Sequence, residues 1–501
     1  MSKISRRTFL QQSAFAAAAL TIVPNTILGK SHGHQAPSDK LNIAAVGICS
    51  RCNVMIRGAR PTENIVALCD VDWGFAKPVF EQNPDAKRYQ DWRKMYDEMG
   101  RSIDAVIVGT ADHAHAIIAA NAITLGKHVY VEKPLTHSVY ESRLLTKLAE
   151  KHRVATQMGN QGASTADVRT VIDWIWNGEI GEVTRVDTFT DRPIWPQGLN
   201  TPKQGMWVPE TLDWDLFTGP AKLVPYHEIY HPWNWRGWWN YGTGAFGDMA
   251  CHIMHPIFRS LRLGYPSKVQ GNSTMLLMDC APVSQAVKYT FPARNVPSIR
   301  RVRFPEVEVN WYDGGIKPMM PKGWPAGKDM NVVGGAAIFY GTKDTLVCGS
   351  AARSPWLLSG RVPTNVPTTQ REVPLIPGRT DDTDHHVMDW VRACKENPDN
   401  RVQTICNFTD VGPFNEMVVM GVVAVRLQGL LRELEWDGAN MQFTNIGDND
   451  EIRMILEDRF SIEDGNPNIN PLRTDPINAK AFAQELIKHT YREGWSLPAM
   501  P

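Results

Sequence analysis

Between residues 41 and 163 five short apolar runs recur, and each ends on a residue able to do chemistry or shape a turn. Leu41-Asn-Ile-Ala-Ala-Val-Gly47 ends on glycine, Asn64-Ile-Val-Ala-Leu-Cys-Asp70 on aspartate, and Asp104-Ala-Val-Ile-Val-Gly-Thr110 on threonine. Lys127-His-Val-Tyr-Val-Glu-Lys133 ends on a glutamate–lysine pair, and Arg153-Val-Ala-Thr-Gln-Met-Gly159 on glycine. Apolar, β-branched runs of this length read as buried strands, and helical segments separate them. Strands alternating with helices require a parallel, doubly wound α/β sheet, and right-handed crossovers bring every strand's carboxyl end to one edge. That edge carries Gly47, Asp70, Thr110, Glu132, Lys133 and Gly159, and it is where such sheets bind ligands. Pro134 fixes φ and lacks a donor, so the fourth run stops at Lys133. Locally, that lysine is either a solvated strand end or an amine held toward a ligand.

A strand, a turn and a helix, followed by aspartate at the end of the next strand, form a dinucleotide-binding fingerprint. Asp70 would accept hydrogen bonds from ribose hydroxyls and repel a 2′-phosphate, which favours NAD over NADP. The glycine loop departs from the pattern. G-x-G-x-x-G falls on Gly47-Ile48-Cys49-Ser50-Arg51-Cys52, so two glycines are replaced by cysteine. A side chain there costs space and restricts φ, so the expectation is a wider turn, a shifted cofactor or weak binding. The alternative is a Cys49–Cys52 redox pair or disulfide. In Thr110-Ala-Asp-His113-Ala-His115 the histidines either touch the cofactor or sit at a helix start capped by Asp112.

At 501 residues the chain exceeds one core. The expected organisation is a signal segment at 1–32, a polar linker at 33–40, a nucleotide-binding domain at 41–163, a substrate and oligomerisation domain at 164–435, and an extension at 436–501 packing back on the fold. The second domain should be α+β with a large, mostly antiparallel sheet, including strands at 182–190, 307–312 and 337–340 and helices at 386–395 and 414–434. Ser5-Arg6-Arg7-Thr8-Phe9-Leu10-Gln11 before the apolar stretch Ala14–Val23 reads as a twin-arginine export signal, too short for a stable membrane anchor. Export by the twin-arginine machinery implies a periplasmic or exported enzyme. Lys+Arg and Asp+Glu are 53 each, which leaves no electrostatic case for nucleic acid or an anionic membrane. Eight cysteines lack the paired spacing of a zinc site, so no metal is expected.

In the second half, Asp248-Met-Ala-Cys-His252 follows the glycine-rich Tyr241–Gly247. The i, i+4 spacing puts carboxylate and imidazole on one helical face, a suitable acid–base pair. A helix cap, or a metal held by Asp248, His252 and His255, are the competing readings. The aromatic run His231-Pro-Trp-Asn-Trp235-Arg236-Gly-Trp-Trp239 could stack on a sugar or on nicotinamide, or form core.

With Ile43–Asp70, Asp112-His113-Ala-His115, Glu132-Lys133-Pro134, Gly159-Asn160-Gln161 and Asp248-x-x-x-His252 in view, the chain resembles the Gfo/Idh/MocA oxidoreductases. The resemblance implies an NAD(P)-dependent enzyme that oxidises a secondary hydroxyl of a sugar, sugar derivative or cyclitol. It implies catalysis by Lys133, Asp248 and His252, with Lys133 and His252 moving the proton. It implies cofactor contacts from Gly47, Ile48, Ser50, Arg51, Asp70, Thr110, His113, His115, Glu132, Asn160, Gln161, Trp235 and Arg236. Substrate contacts would come from Lys133, Tyr230, His231, Asp248 and His252, and a homodimer or homotetramer is expected. Two alternatives are an NAD-dependent glycosidase working by transient oxidation, with His227, Tyr230 or His231 as the extra acid or base, and a sugar-binding protein with a decayed cofactor loop.

Overall fold

A computed structural model describes residues 39–330, 334–368 and 382–501. The export signal expected at 1–32 and most of the linker lie outside the described residues.

The first domain alternates as the sequence requires: β1 (Asn42–Val46), α1 (Arg51–Ala59), β2 (Asn64–Cys69), α2 (Trp73–Gln82), β3 (Lys87–Tyr89), α3 (Trp92–Met99), β4 (Ala105–Val108), α4 (Asp112–Thr124), β5 (His128–Val131), α5 (Val139–His152) and β6 (Thr156–Met158). The strands pair in parallel in the order β3-β2-β1-β4-β5-β6. The order reverses between β1 and β4, which opens a crevice at their carboxyl ends. β1, β4 and β5 are buried on both faces because helices cover both, which explains their apolar runs. The polar stretch 71–99 hides α2, β3 and α3 from a reading based on apolar runs. Their helix starts are nevertheless capped by Asp72 and Asp91.

The second domain contains α6 (Ala166–Trp176), β7 (Val183–Phe189), α7 (Trp214–Thr218), α8 (Gly244–Ile253), α9 (His255–Ser260), β8 (Lys268–Ser273), β9 (Gln285–Phe291), β10 (Val307–Tyr312), β11 (Ala336–Gly341), β12 (Thr345–Gly349) and β13 (Trp356–Leu357). It continues with α10 (Asp382–Lys395), α11 (Phe408–Arg426), β14 (Leu434–Asp437) and β15 (Gln442–Phe443), and α12 (Ala479–Ile487) closes the chain's regular structure. The sheet has nine strands in the order β13-β12-β11-β7-β10-β9-β8-β14-β15. It is antiparallel except at β10–β7.

Three boundaries differ from the sequence reading. The helix expected at 414–434 is α11, which begins at Phe408 with Asn407 capping Asp410 and runs through Pro413. Residues 434–437 are strand. The boundary expected at 436 falls inside β14, and the extension expected to pack back on the fold supplies β15 to the large sheet. Finally, Val387, Trp390 and Val391 of α10 pack into one cluster with Ile43, Cys52 and Ile107, so this helix of the second half serves the first domain's core. Apolar α11 matches a membrane span in length, yet 83% of its apolar window is buried within the fold.

Candidate active site

The crevice at the β1–β4 switch point opens into a solvent-open cleft of about 1170 Å³, walled on the other side by Leu216–Pro220 and His231–Arg236. Gly47, Ser50, Arg51, Asp70, Thr110, His113, Glu132, Lys133, Trp235, Arg236 and Asp248 all line it.

The first turn accommodates its cysteines. Gly47 has φ +69, and a Cβ there would lie 2.6 Å from Thr110 N, so this glycine is required. The second left-handed position is Ser50 (φ 50), not Cys49, so the backbone does not need glycine at 49. Cys52 packs onto Gly109, where an added Cβ would come within 2.6 Å of the Cys52 Cβ. The small residue that lets helix and strand approach has moved to the strand. All eight cysteines are free thiols, so the disulfide alternative for Cys49 and Cys52 is overturned. The Cys49 thiol instead donates to Phe75 O at 3.5 Å. Ser50 makes no side-chain cap on α1, so the helix's first N–H groups remain available to an anion such as a pyrophosphate.

Asp70 is braced by Ile48 N and Asp72 N, each at 3.0 Å. Ile48 contributes through its backbone, and its side chain is core. Burial pushes the Asp70 carboxyl up to about 6, although those backbone donors oppose the shift. Glu132 is likewise pushed up to about 7 by burial, against the pull of Arg51 and Lys133. Gln161 stands behind it, donating to Glu132 Oε1 at 2.9 Å and accepting from Arg51 at 3.2 Å. Asn160 is buried with both amide atoms unpartnered, the complement of a carboxamide. A helix N-terminus without a cap, a ribose-side aspartate and an orphaned amide suit a nicotinamide dinucleotide.

Two histidines take other roles. His113 lines the cleft and contacts Phe217 O at 2.9 Å. His115 does not reach the cleft; its nitrogens lie 2.8 Å from Pro134 O and 3.1 Å from Thr110 O. It holds the lysine loop rather than cofactor, which corrects the expected contact. Asp112 does not cap its helix either. Its Oδ2 accepts from Thr243 N (3.1 Å) and Oγ1 (2.8 Å), which ties the start of α4 to the start of α8.

That tie brings the second domain's acid–base pair to the lysine. The Lys133 ammonium donates to Asp248 Oδ1 at 2.5 Å and Asp248 O at 2.9 Å, and its peptide bond to Pro134 is cis. Arg236 donates to the same Oδ1 at 3.4 Å, and its guanidinium lies 3.9 Å from the Trp233 ring and 4.3 Å from the Trp235 ring. Burial opposes ionisation of Asp248, yet the Lys133 and Arg236 cations hold it down at about 2. His252 is half-buried, and withdrawal from water together with the Lys133 charge pushes it down to about 3, so its imidazole is neutral near pH 7. His255 packs on Phe414 instead, which removes it from the metal alternative.

The aromatic run divides. Trp233 and Trp235 line the cleft, and Trp235 and the cleft-lining Phe217 also pack on the buried cluster of Trp214, Tyr226, Tyr230, Trp238 and Tyr241. Tyr230 therefore sits away from the cleft. His231 lines it, but at the Asp72 end, 2.9 Å from Asp72 Oδ2. Neither faces Lys133, and both depart from the expected substrate contacts.

The structure adds residues that the sequence did not suggest. Leu216, Phe217, Gly219 and Pro220 form a strap over the cleft, and Trp495 from the chain's end joins them. The loop Gly349–Ser354 holds Ala351, Ala352 and Ser354 at positive φ, and its Arg353 acts electrostatically on His252. Nothing in the periodicity marks these segments, because their roles arise from contacts distant in sequence.

Residues 41–160 match the family model described as the oxidoreductase family's NAD-binding Rossmann fold, and residues 169–292 match its C-terminal α/β domain. These are the two domains of the Gfo/Idh/MocA oxidoreductases. Among curated relatives of this chain, levoglucosan dehydrogenase of Pseudarthrobacter phenanthrenivorans is 29% identical over 36% of the chain and 40% of the relative. The scyllo-inositol 2-dehydrogenase (NAD(+)) of Bacillus subtilis is 29% identical over 31% of the chain and 45% of the relative. The chain thus matches less than half the length of these dehydrogenases. The WlbA dehydrogenase of Bordetella pertussis, solved with NADH and UDP-GlcNAcA, shares the fold at a TM-score of 0.53 and 14% identity, over 79% of this chain and 99% of that one. An inositol dehydrogenase homologue of Azotobacter vinelandii, solved with NADH and myo-inositol, gives 0.53 at 15%, over 79% and 98%.

Proposed function

We propose that the chain is an NAD-dependent dehydrogenase that oxidises a secondary hydroxyl of a sugar, sugar derivative or cyclitol. The observation carrying this reading is the Lys133–Asp248 ion pair at 2.5 Å, held at the end of the cleft whose other end carries Asp70. Bound NAD supplies the hydride acceptor. The remaining chemistry belongs to side chains. Lys133 gives two hydrogen bonds to Asp248 and keeps its third donor for the substrate oxygen, where it stabilises the negative charge developing as the proton leaves. Neutral His252, one turn along α8 from Asp248, accepts that proton. Asp248, fully ionised, fixes the ammonium's direction.

The dehydrogenases among the relatives support a carbohydrate or cyclitol as substrate. Asp70 favours NAD over NADP. The three residues named for the glycosidase alternative are engaged elsewhere. His231 is bonded to Asp72, Tyr230 is core, and the Nδ1 of His227 accepts from Ile229 N. Export by the twin-arginine route, proposed from Ser5–Gln11, and assembly into a homodimer or homotetramer complete the reading.

Lys133→Ala and His252→Ala test it. Each should keep the wild-type circular dichroism and NADH affinity while NADH production from a cyclitol and sugar-alcohol panel falls about 100-fold or more. Undiminished turnover in both variants rejects the assignment.

A further inference from the structure

The last residues of the chain run across the cofactor cleft. His489 Nδ1 lies 3.2 Å from His137 Nδ1, and Tyr491 donates to Glu141 Oε1 at 2.7 Å, which fixes the segment beside the lysine loop. Arg492 then reaches the strap. Its side chain donates to Asp215 Oδ1 at 2.5 Å and to Gly219 O at 3.0 Å, and its backbone N–H donates to Pro220 O at 2.9 Å. Trp495 follows into the cleft wall. Arg93 covers its ring at 4.4 Å, Trp92 lies 6.4 Å away, and a Cβ on Gly219 would meet the ring at 3.8 Å. Asp91 holds Arg93 with three hydrogen bonds of 2.8–3.1 Å, so the guanidinium facing Trp495 is itself oriented.

The strap is fixed to the same edge. Thr211 O accepts from Trp73 N at 2.9 Å, Asp213 N donates to Val71 O at 2.9 Å, and Thr211 and His231 both bond the Asp72 carboxylate. Val71, Phe75, Gln90 and Trp92 on the nucleotide-binding side thus face Leu216, Pro220 and Trp495 on the other. This is the Asp70 half of the cleft, far in function from Lys133. An aromatic ring at such a wall offers a stacking surface for a base.

We propose that the C-terminal segment, through Trp495, is part of the NAD site: it closes the adenosine half of the cleft and keeps the cofactor bound between turnovers. The proposal rests on the NAD-binding reading above. Binding energy from Trp495 falls on the adenosine half, so it changes cofactor release without touching the reacting atoms.

The test uses the full chain and Trp495→Ala, Trp495→Phe and Arg492→Ala, each loaded with NADH. Nucleotide retained through gel filtration and the NADH release rate, followed by its fluorescence, are measured beside the thermal midpoint of the nucleotide-free protein. Trp495→Ala should release NADH about tenfold faster from protein that remains folded at the assay temperature. Trp495→Phe should stay near wild type, and Arg492→Ala should fall between. A Trp495→Ala release rate equal to wild type overturns the proposal while leaving the NAD reading intact. Wild-type protein that takes up no NADH overturns both.

Discussion

At Cys52 the glycine pattern of the first turn is broken, and the motif alone foretells a damaged cofactor loop. The structure gives a different outcome because close packing is a property of two surfaces. Gly109 supplies the missing space at the end of β4, and Gly47 and Ser50 take the left-handed conformations. Gly109→Ala should destabilise the protein by about 1–3 kcal/mol through overpacking against Cys52. Combining it with Cys52→Gly removes the 2.6 Å clash, so the double variant should be less destabilised than the two single costs summed, as read by urea unfolding. Strict additivity would show that the two positions do not share this packing. Lys133, Asp70 and Asp248 were legible because their chemistry ends a strand or sits at helical spacing. Tyr230 and His231 were not, because an aromatic-rich run looks alike whether its rings face a ligand or one another.

The central strands β1, β4 and β5 were readable because burial on both faces makes them apolar, and the edge strand β3, mostly exposed and polar, was not. The element that aims the lysine was not. Asn415 lies fully buried in the middle of α11, and its Oδ1 accepts from Leu135 N at 3.0 Å. Its Nδ2 donates to Thr136 Oγ1 at 3.0 Å and Ser142 Oγ at 2.8 Å. A helix of the second domain thus holds the loop directly after Lys133, while His115 holds Pro134 from the other side. In sequence, Asn415 is one polar residue in an apolar helix, and its partner lies 280 positions away. Asn415→Leu keeps the branched shape and orphans the Leu135 N–H, at a cost of about 1–3 kcal/mol. As a positioning residue, its loss should lower kcat about ten- to hundredfold while the NADH Kd stays near wild type. A Kd that weakens as much as kcat falls would instead place Asn415 in support of the cofactor.

Across the whole molecule, the chain's end ties the two domains together over the cleft, and this tie is sensitive to acid. Burial, with the Arg426 and His113 charges added, pushes His489 down from 6.5 to about 4, and burial with His489 as neighbour lowers its partner His137 too. Below pH 6.5 the unfolded chain therefore binds a proton at His489 that the folded chain refuses until about pH 4, and His137 shifts in the same direction, so their contribution to folding shrinks as pH falls through that window. Glu141, which binds Tyr491 of the same segment, has the opposite sign. Burial raises it from 4.5 to about 7, so the folded chain binds its proton first and gains stability on acidification. The two effects oppose each other in the wild-type curve, and a substitution separates them. His489→Asn removes the imidazole's acid penalty and leaves Glu141 in place. Measured as thermal midpoint against pH, the variant should lie below wild type near pH 7, where the His137 contact is lost. The gap should narrow steadily from pH 6.5 toward pH 4. A constant gap across that range would mean that His489 enters the fold at its ordinary pKa and that the acid response of the C-terminal tie lies elsewhere.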